Sequence, residues 1–175
     1  GTYRLLLIRP VSRTKILFAK YLTTVLYVVL FVAFLGAVSV GLAIALLGTG
    51  DLVVFQRGIL VLPADDVAWR FILAYILAVA PMLTIASIAF FISSFVENAI
   101  GPIVATMGVV IVLTIITVLP VDSLEGVREY LFTYHMVVWQ KVFADPLNWH
   151  SIVASLLNLA FYTGASLAGA WPSLS

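Results

Sequence analysis

Four stretches of this chain are long, apolar and free of formal charge: Tyr21–Leu47, Phe71–Phe95, Ile100–Leu119 and Ile152–Trp171. A helix needs about 20 mainly apolar residues to cross lipid, where no water is present to satisfy the backbone. Each stretch reaches that length. The nine basic and eight acidic residues all fall before or between them. A soluble core of 175 residues cannot absorb a 63% apolar share, because too few polar groups would remain to cover it. The chain therefore reads as an all-α, polytopic membrane helix bundle with four spans. Soluble enzyme classes are excluded. The absence of cysteine removes disulfides, thiolate zinc sites and iron–sulfur clusters as well.

The scarce charges are sorted along the chain. Arg4, Arg9, Arg13, Lys15 and Lys20 precede the first span with no acidic residue among them. Basic flanks mark the cytoplasmic side, so residue 1 and, after four spans, the C-terminus are expected there. Residues 48–70 then lie outside, with Arg57 and Arg70 against Asp51, Asp65 and Asp66. Residues 96–98 form a cytoplasmic turn around Glu97. Residues 121–150 return outside, where Arg128 and Lys141 meet Asp122, Glu125, Glu129 and Asp145. There Leu124, Val127, Leu131, Val138 and Val142 recur at roughly helical spacing. One or two short outer amphipathic helices are expected, capped by Asp122 or Ser123 and lying in the leaflet or on the bundle.

Residues 1–20 form a cytoplasmic segment distinct from the transmembrane domain, residues 21–175. Thr2 can cap a short helix over Tyr3–Arg9, and Pro10 turns the chain by disfavouring helix at Arg9. Ser12 is then the expected N-cap of a second helix running into the first span. Ser12–Leu47 would measure about 54 Å at 1.5 Å per residue, longer than the roughly 30 Å hydrocarbon core. From spacing alone, a basic cluster in this place serves more often as a lipid-binding anchor than as a docking element. A nucleic-acid partner is not expected, since everything beyond the cluster is built for lipid.

The run GTYRLLLIRPVSRTKILFAKYL resembles the segment between the second and third membrane helices of type-2 ATP-binding-cassette (ABC) exporter permeases. Gly1, Thr2, Arg4, Leu5, Leu6, Arg9, Pro10, Ser12, Arg13, Lys15 and Lys20 match that pattern in order. The run ADPLNWHSIVASLLNL similarly resembles the lead into the family's last helix. The resemblance implies that residues 1–20 hold a coupling helix docking onto a cytoplasmic ATPase subunit. Its docking residues would be Arg4, Leu5, Leu6, Ile8, Arg9, Pro10, Ser12, Arg13 and Lys15, with Arg4, Arg9 and Arg13 as polar contacts and Leu5, Leu6 and Ile8 as the apolar contact or anchor. It also implies a second permease subunit, and ATP with magnesium bound on the partner ATPase rather than here. A complete subunit of that family has six membrane helices, so this chain is expected to be a fragment lacking the first two, from a prokaryotic cytoplasmic membrane.

No GxxxxGK[ST] phosphate loop occurs, so no ATP site of that kind is present in the sequence. His135 and His150 lack a third ligand in register, and no metal site is expected. An intramembrane hydrolase would need a serine facing a histidine. Ser87, Ser93 and Ser94 lie in or beside a span, whereas both histidines fall in the outer connection, so that chemistry is not expected. Ala37, Gly41 and Ala45 on the first span, and Gly164 and Ala168 on the fourth, form small faces that would pack helices within the chain, the commoner use, or pair two subunits. Pro81 should kink the second span and free a carbonyl near Thr84, and Gly101-Pro102 should start the third. These prolines with Gly101 are hinge candidates. The alternative to a permease is a non-transporting membrane anchor or scaffold.

Overall fold

A computed structural model of the chain describes residues 13–170 apart from 49, 51, 56–58, 97, 99 and 120–124. Among the described residues six α-helices and a 3-10 helix follow one another, with one small hairpin between the first two. Helix α1 is Arg13–Leu47, strands β1 and β2 are Leu52–Phe55 and Ile59–Leu62, and α2 is Ala64–Ser93. Helix α3 is Ile100–Val118, α4 is Glu125–Arg128 and α5 is Phe132–His135. The 3-10 helix Val138–Phe143 precedes α6, Trp149–Ala170. Helices α1, α2, α3 and α6 are each long and apolar enough to cross a membrane. The fold is an all-helical membrane bundle.

Helix α2 is the hub, packing against α1, α3, α6 and the 3-10 helix. Helix α1 packs along it, with side-chain contacts of two kinds. Near the Arg13 end, Tyr21 Oη lies 3.1 Å from Ser87 Oγ, and the Tyr21 ring meets Phe90 edge-on. Midway along, Gly36 lets the Tyr75 ring approach so closely that a Cβ there would sit 3.1 Å from it. Ser39 and Tyr75 join hydroxyls beside that contact. Helix α6 meets α2 at a buried hydroxyl knot, where Thr84 Oγ1 lies 3.1 Å from Thr163 Oγ1. At the Ala170 end, Gly169 leaves room for the Phe91 ring.

The apolar core is concentrated at the end of the bundle away from Arg13. Leu77, Phe132, Val138, Val142, Ile152 and Leu159 form one buried cluster there. The expected amphipathic stretch is three short pieces, α4, α5 and the 3-10 helix, folded onto the bundle as a cap. Val138 and Val142 point fully inward, as their spacing predicts, while Val127 stays exposed.

Several sequence expectations need correction. Residues 48–70 are not simply a connection: β1 and β2 pair antiparallel, Leu52 opposite Leu62. Helix α2 starts at Ala64 rather than at Phe71, so Asp66 and Arg70 lie in its first turns. Arg70 tolerates this because the cap covers it and supplies carbonyl acceptors. Of the two uses open to the small faces, packing within the chain is not seen among the described residues, since a Cβ on Gly41 or on Gly164 has open space around it. The close approaches fall instead at Gly36 and Gly169, where an aromatic ring fills the gap. Thr84, beside Pro81, bonds Ala80 O and Leu159 O.

Candidate functional site

Of the expected docking residues, Arg4, Leu5, Leu6, Ile8, Arg9, Pro10 and Ser12 lie outside the described residues. Arg13 is the first residue of α1, and Lys15 is exposed one turn-half further on. From there α1 runs 35 residues unbroken, about 52 Å at 1.5 Å per residue. Of the hinge candidates, Pro81 is enclosed within a continuous α2. Gly101 and Pro102 open α3, where Thr106 Oγ1 donates to Pro102 O at 2.7 Å and Val96 presses on Gly101.

The densest polar chemistry lies in the cap. Arg70 is 5% exposed, and its Nη1 donates to the carbonyls of Val142 at 3.0 Å and Ala144 at 3.1 Å. The side chain thereby ties the first turns of α2 to the end of the 3-10 helix. The Phe71 and Phe143 rings meet edge-on beside it. Arg70 Nε is buried without a partner, and among the described residues the acceptors of this cation are backbone carbonyls. On the opposite side of the cap, Thr133 Oγ1 lies 2.7 Å from Thr117 Oγ1 and donates to Leu113 O at 3.2 Å. That pair fixes α5 against α3.

His135, expected as an ordinary interfacial residue, is buried and bonded at both nitrogens. Its Nε2 lies 2.8 Å from Glu129 O, and its Nδ1 lies 3.0 Å from Ser155 Oγ. A carbonyl only accepts, so Nε2 carries a proton. Lys141 approaches the same serine from the 3-10 helix: Nζ is 2.7 Å from Ser155 Oγ, 2.8 Å from Ser151 Oγ and 3.3 Å from Ser151 O. Ser155 Oγ also has Ser151 O within 2.9 Å. The single Ser155 proton thus has two acceptors to choose from, Ser151 O and a neutral His135 Nδ1. Burial pulls the Lys141 ammonium below the ordinary lysine range. Asn148 caps the helix that carries both serines, its Oδ1 accepting the Ser151 amide at 3.1 Å.

A serine does therefore face a histidine, contrary to the sequence reading, but it is Ser155 on α6 and not Ser87, Ser93 or Ser94. The signal was present as Ser151 and Ser155 one helical turn apart after an Asn cap. Nothing in the sequence indicated that Lys141 and His135 would fold back onto them. No group of three or more potential metal ligands occurs among the described residues.

Fold and site together define an integral membrane protein with a four-span helical bundle and a polar cap at one end. The chain belongs to the DUF2705 family, a protein family of unknown function, whose model matches residues 1–168. No curated protein and no solved structure matches it.

Proposed function

We propose that the chain is the membrane-spanning permease subunit of an ATP-driven exporter, working with a separate cytoplasmic ATPase and a second permease subunit. The observation that carries this reading is the build of α1. A basic segment resembling a coupling helix leads directly into a 35-residue helix that continues without a break through the bundle. A push on the segment before Arg13 would travel along that rod, because a continuous helix resists axial compression while its few contacts with α2 let it tilt. ATP and magnesium belong on the partner, and substrate passes between subunits.

The test pairs copurification with charge reversal. In mild detergent the chain should retain an ATPase that carries a phosphate loop. Arg9→Glu combined with Arg13→Glu should lower stimulated ATPase activity and leave the protein in the membrane. Unchanged assembly and transport in the double variant would reject the docking assignment. Absence of any copurifying ATPase would favour the anchor reading.

A further inference from the structure

A serine hydroxyl, an amine, a second hydroxyl and an imidazole stand in hydrogen-bonded series at the start of α6. We propose that Ser151 is the nucleophile of a serine–lysine site that hydrolyses carboxylic esters presented at the bilayer surface, with Lys141 as its general base. This inference is independent of the transport reading.

Ser155 is fully enclosed and cannot meet a substrate, whereas Ser151 is only partly buried and sits in the first turn of α6. Its Oγ lies 2.8 Å from Lys141 Nζ, within reach for proton transfer. An activated nucleophile requires a base that is itself held in place by a third group. Ser155 Oγ, 2.7 Å from Nζ, does this, and His135 in turn holds Ser155.

With Nζ neutral, the whole network closes. Two N–H groups of Lys141 go to Ser155 Oγ and Ser151 O, and the lone pair faces the Ser151 hydroxyl. The Ser155 proton goes to His135 Nδ1, and His135 Nε2–H goes to Glu129 O. Every donor then meets an acceptor. Burial favours the neutral amine, and so does its position at the positive end of a helix dipole. The charged and titratable neighbours do not oppose this. Glu129, Asp145 and His150 are exposed, and Arg70 on α2 directs Nη1 to the Val142 and Ala144 carbonyls.

The oxyanion would be taken by first-turn amides of the helix that carries Ser151. Asn148 takes the amides of Ser151 and Ile152. The amides of Trp149 and His150 project from the exposed end of α6, as first-turn amides do. Exposed Trp139 and Trp149 flank the base and the nucleophile in sequence and suit an acyl chain at a membrane surface.

In the reaction, Ser151 Oγ bonds to the ester carbonyl carbon as its proton moves to Lys141 Nζ. The C–O bond to the alcohol then breaks, and the leaving oxygen takes the proton from Nζ. Water attacks the acyl-Ser151 carbonyl and gives a proton to Nζ, and Ser151 Oγ leaves and recovers that proton. The balance is ester plus water to carboxylic acid plus alcohol.

The experiment uses the full chain in lipid nanodiscs, an alkyl fluorophosphonate and p-nitrophenyl laurate. The phosphonate should attach to Ser151, mapped by mass spectrometry, and the laurate should be hydrolysed along a limb that rises with pH. Ser151→Ala should remove both. Lys141→Arg keeps a long donor side chain in place but cannot accept a proton, so it should slow labelling about 10²–10⁴-fold. A structural lysine would be replaced by arginine without that loss. Ser155→Ala should move the limb to lower pH, because the ammonium loses an acceptor, and Ser155→Thr should restore it. An unlabelled Ser151 between about pH 6 and pH 10, a range below the ordinary lysine value, overturns the proposal. So does hydrolysis that survives Ser151→Ala, or labelling of Lys141→Arg at the wild-type rate.

Discussion

Helix α1 and the cap are held to the same hub by opposite means. Among the described residues of α1 only Val32 and Gly36 are buried, and the helix leans on α2 through two aromatic approaches and two hydroxyl pairs. The cap buries Phe132, Thr133, His135, Val138 and Val142, and it is fastened by Arg70, which reaches two of its carbonyls more than 70 residues away. Lipid suits the first arrangement, because an apolar helix needs no protein partner to be stable there. The short helices of the cap have no such support, as a four-residue helix cannot stand alone. Their polar and apolar contacts must therefore be specific.

The contrast is most exposed to test at Arg70. Arg70→Met should strand the carbonyls of Val142 and Ala144 and cost about 3 kcal/mol, read as a lowered melting temperature in detergent. A change as small as that of an exposed substitution would show that the cap holds without this tie. A smaller effect is expected on α1. Gly36→Val should collide with the Tyr75 ring and cost about 1–3 kcal/mol, whereas Gly41→Val should be nearly neutral. The chain has no cysteine, so crosslinking of Tyr21→Cys to Ser87→Cys by a short bifunctional thiol reagent, which spans the space the tyrosine ring fills, reports α1 docking directly, and Gly36→Val should reduce it.

The smallest effect is a slope. Lys141 has a lowered value in the folded state, so between that value and the unfolded value the unfolded chain binds more protons. Stability should rise with pH across this window, up to about 10.4. The rise should flatten in Lys141→Met, and a melting temperature independent of pH in both proteins would remove the burial effect from the account.

The four spans were legible because lipid imposes one rule, uninterrupted apolar length, and Tyr21–Leu47 or Ile152–Trp171 display it without reference to anything else. The inward faces of Val138 and Val142 were legible from their four-residue spacing. The hairpin was missed although Leu52–Phe55 and Ile59–Leu62 are rich in residues that favour strands, because their hydrophobicity was weighed only against a membrane span. The polar network was not legible. His135, Lys141 and Ser155 are separated by bends at Met136–Val137 and Ala144–Asn148, and no local pattern states how such bends bring side chains together. Gly36 was passed over because it sits beside, not within, the repeating small-residue face.

The hairpin fixes how α1 can travel. Two four-residue strands join Leu47 to Ala64 by backbone pairing, so the ends of α1 and α2 at that side are yoked. Any tilt of α1 is a swing about this yoke, and displacement grows with distance from it. A swing of about 5° moves the Arg13 end of a 52 Å arm by about 4.5 Å and Tyr21, about 40 Å along, by about 3.5 Å. That exceeds the 3.1 Å separation of Tyr21 and Ser87. The rod therefore has a pivot at one end and a releasable catch near the other.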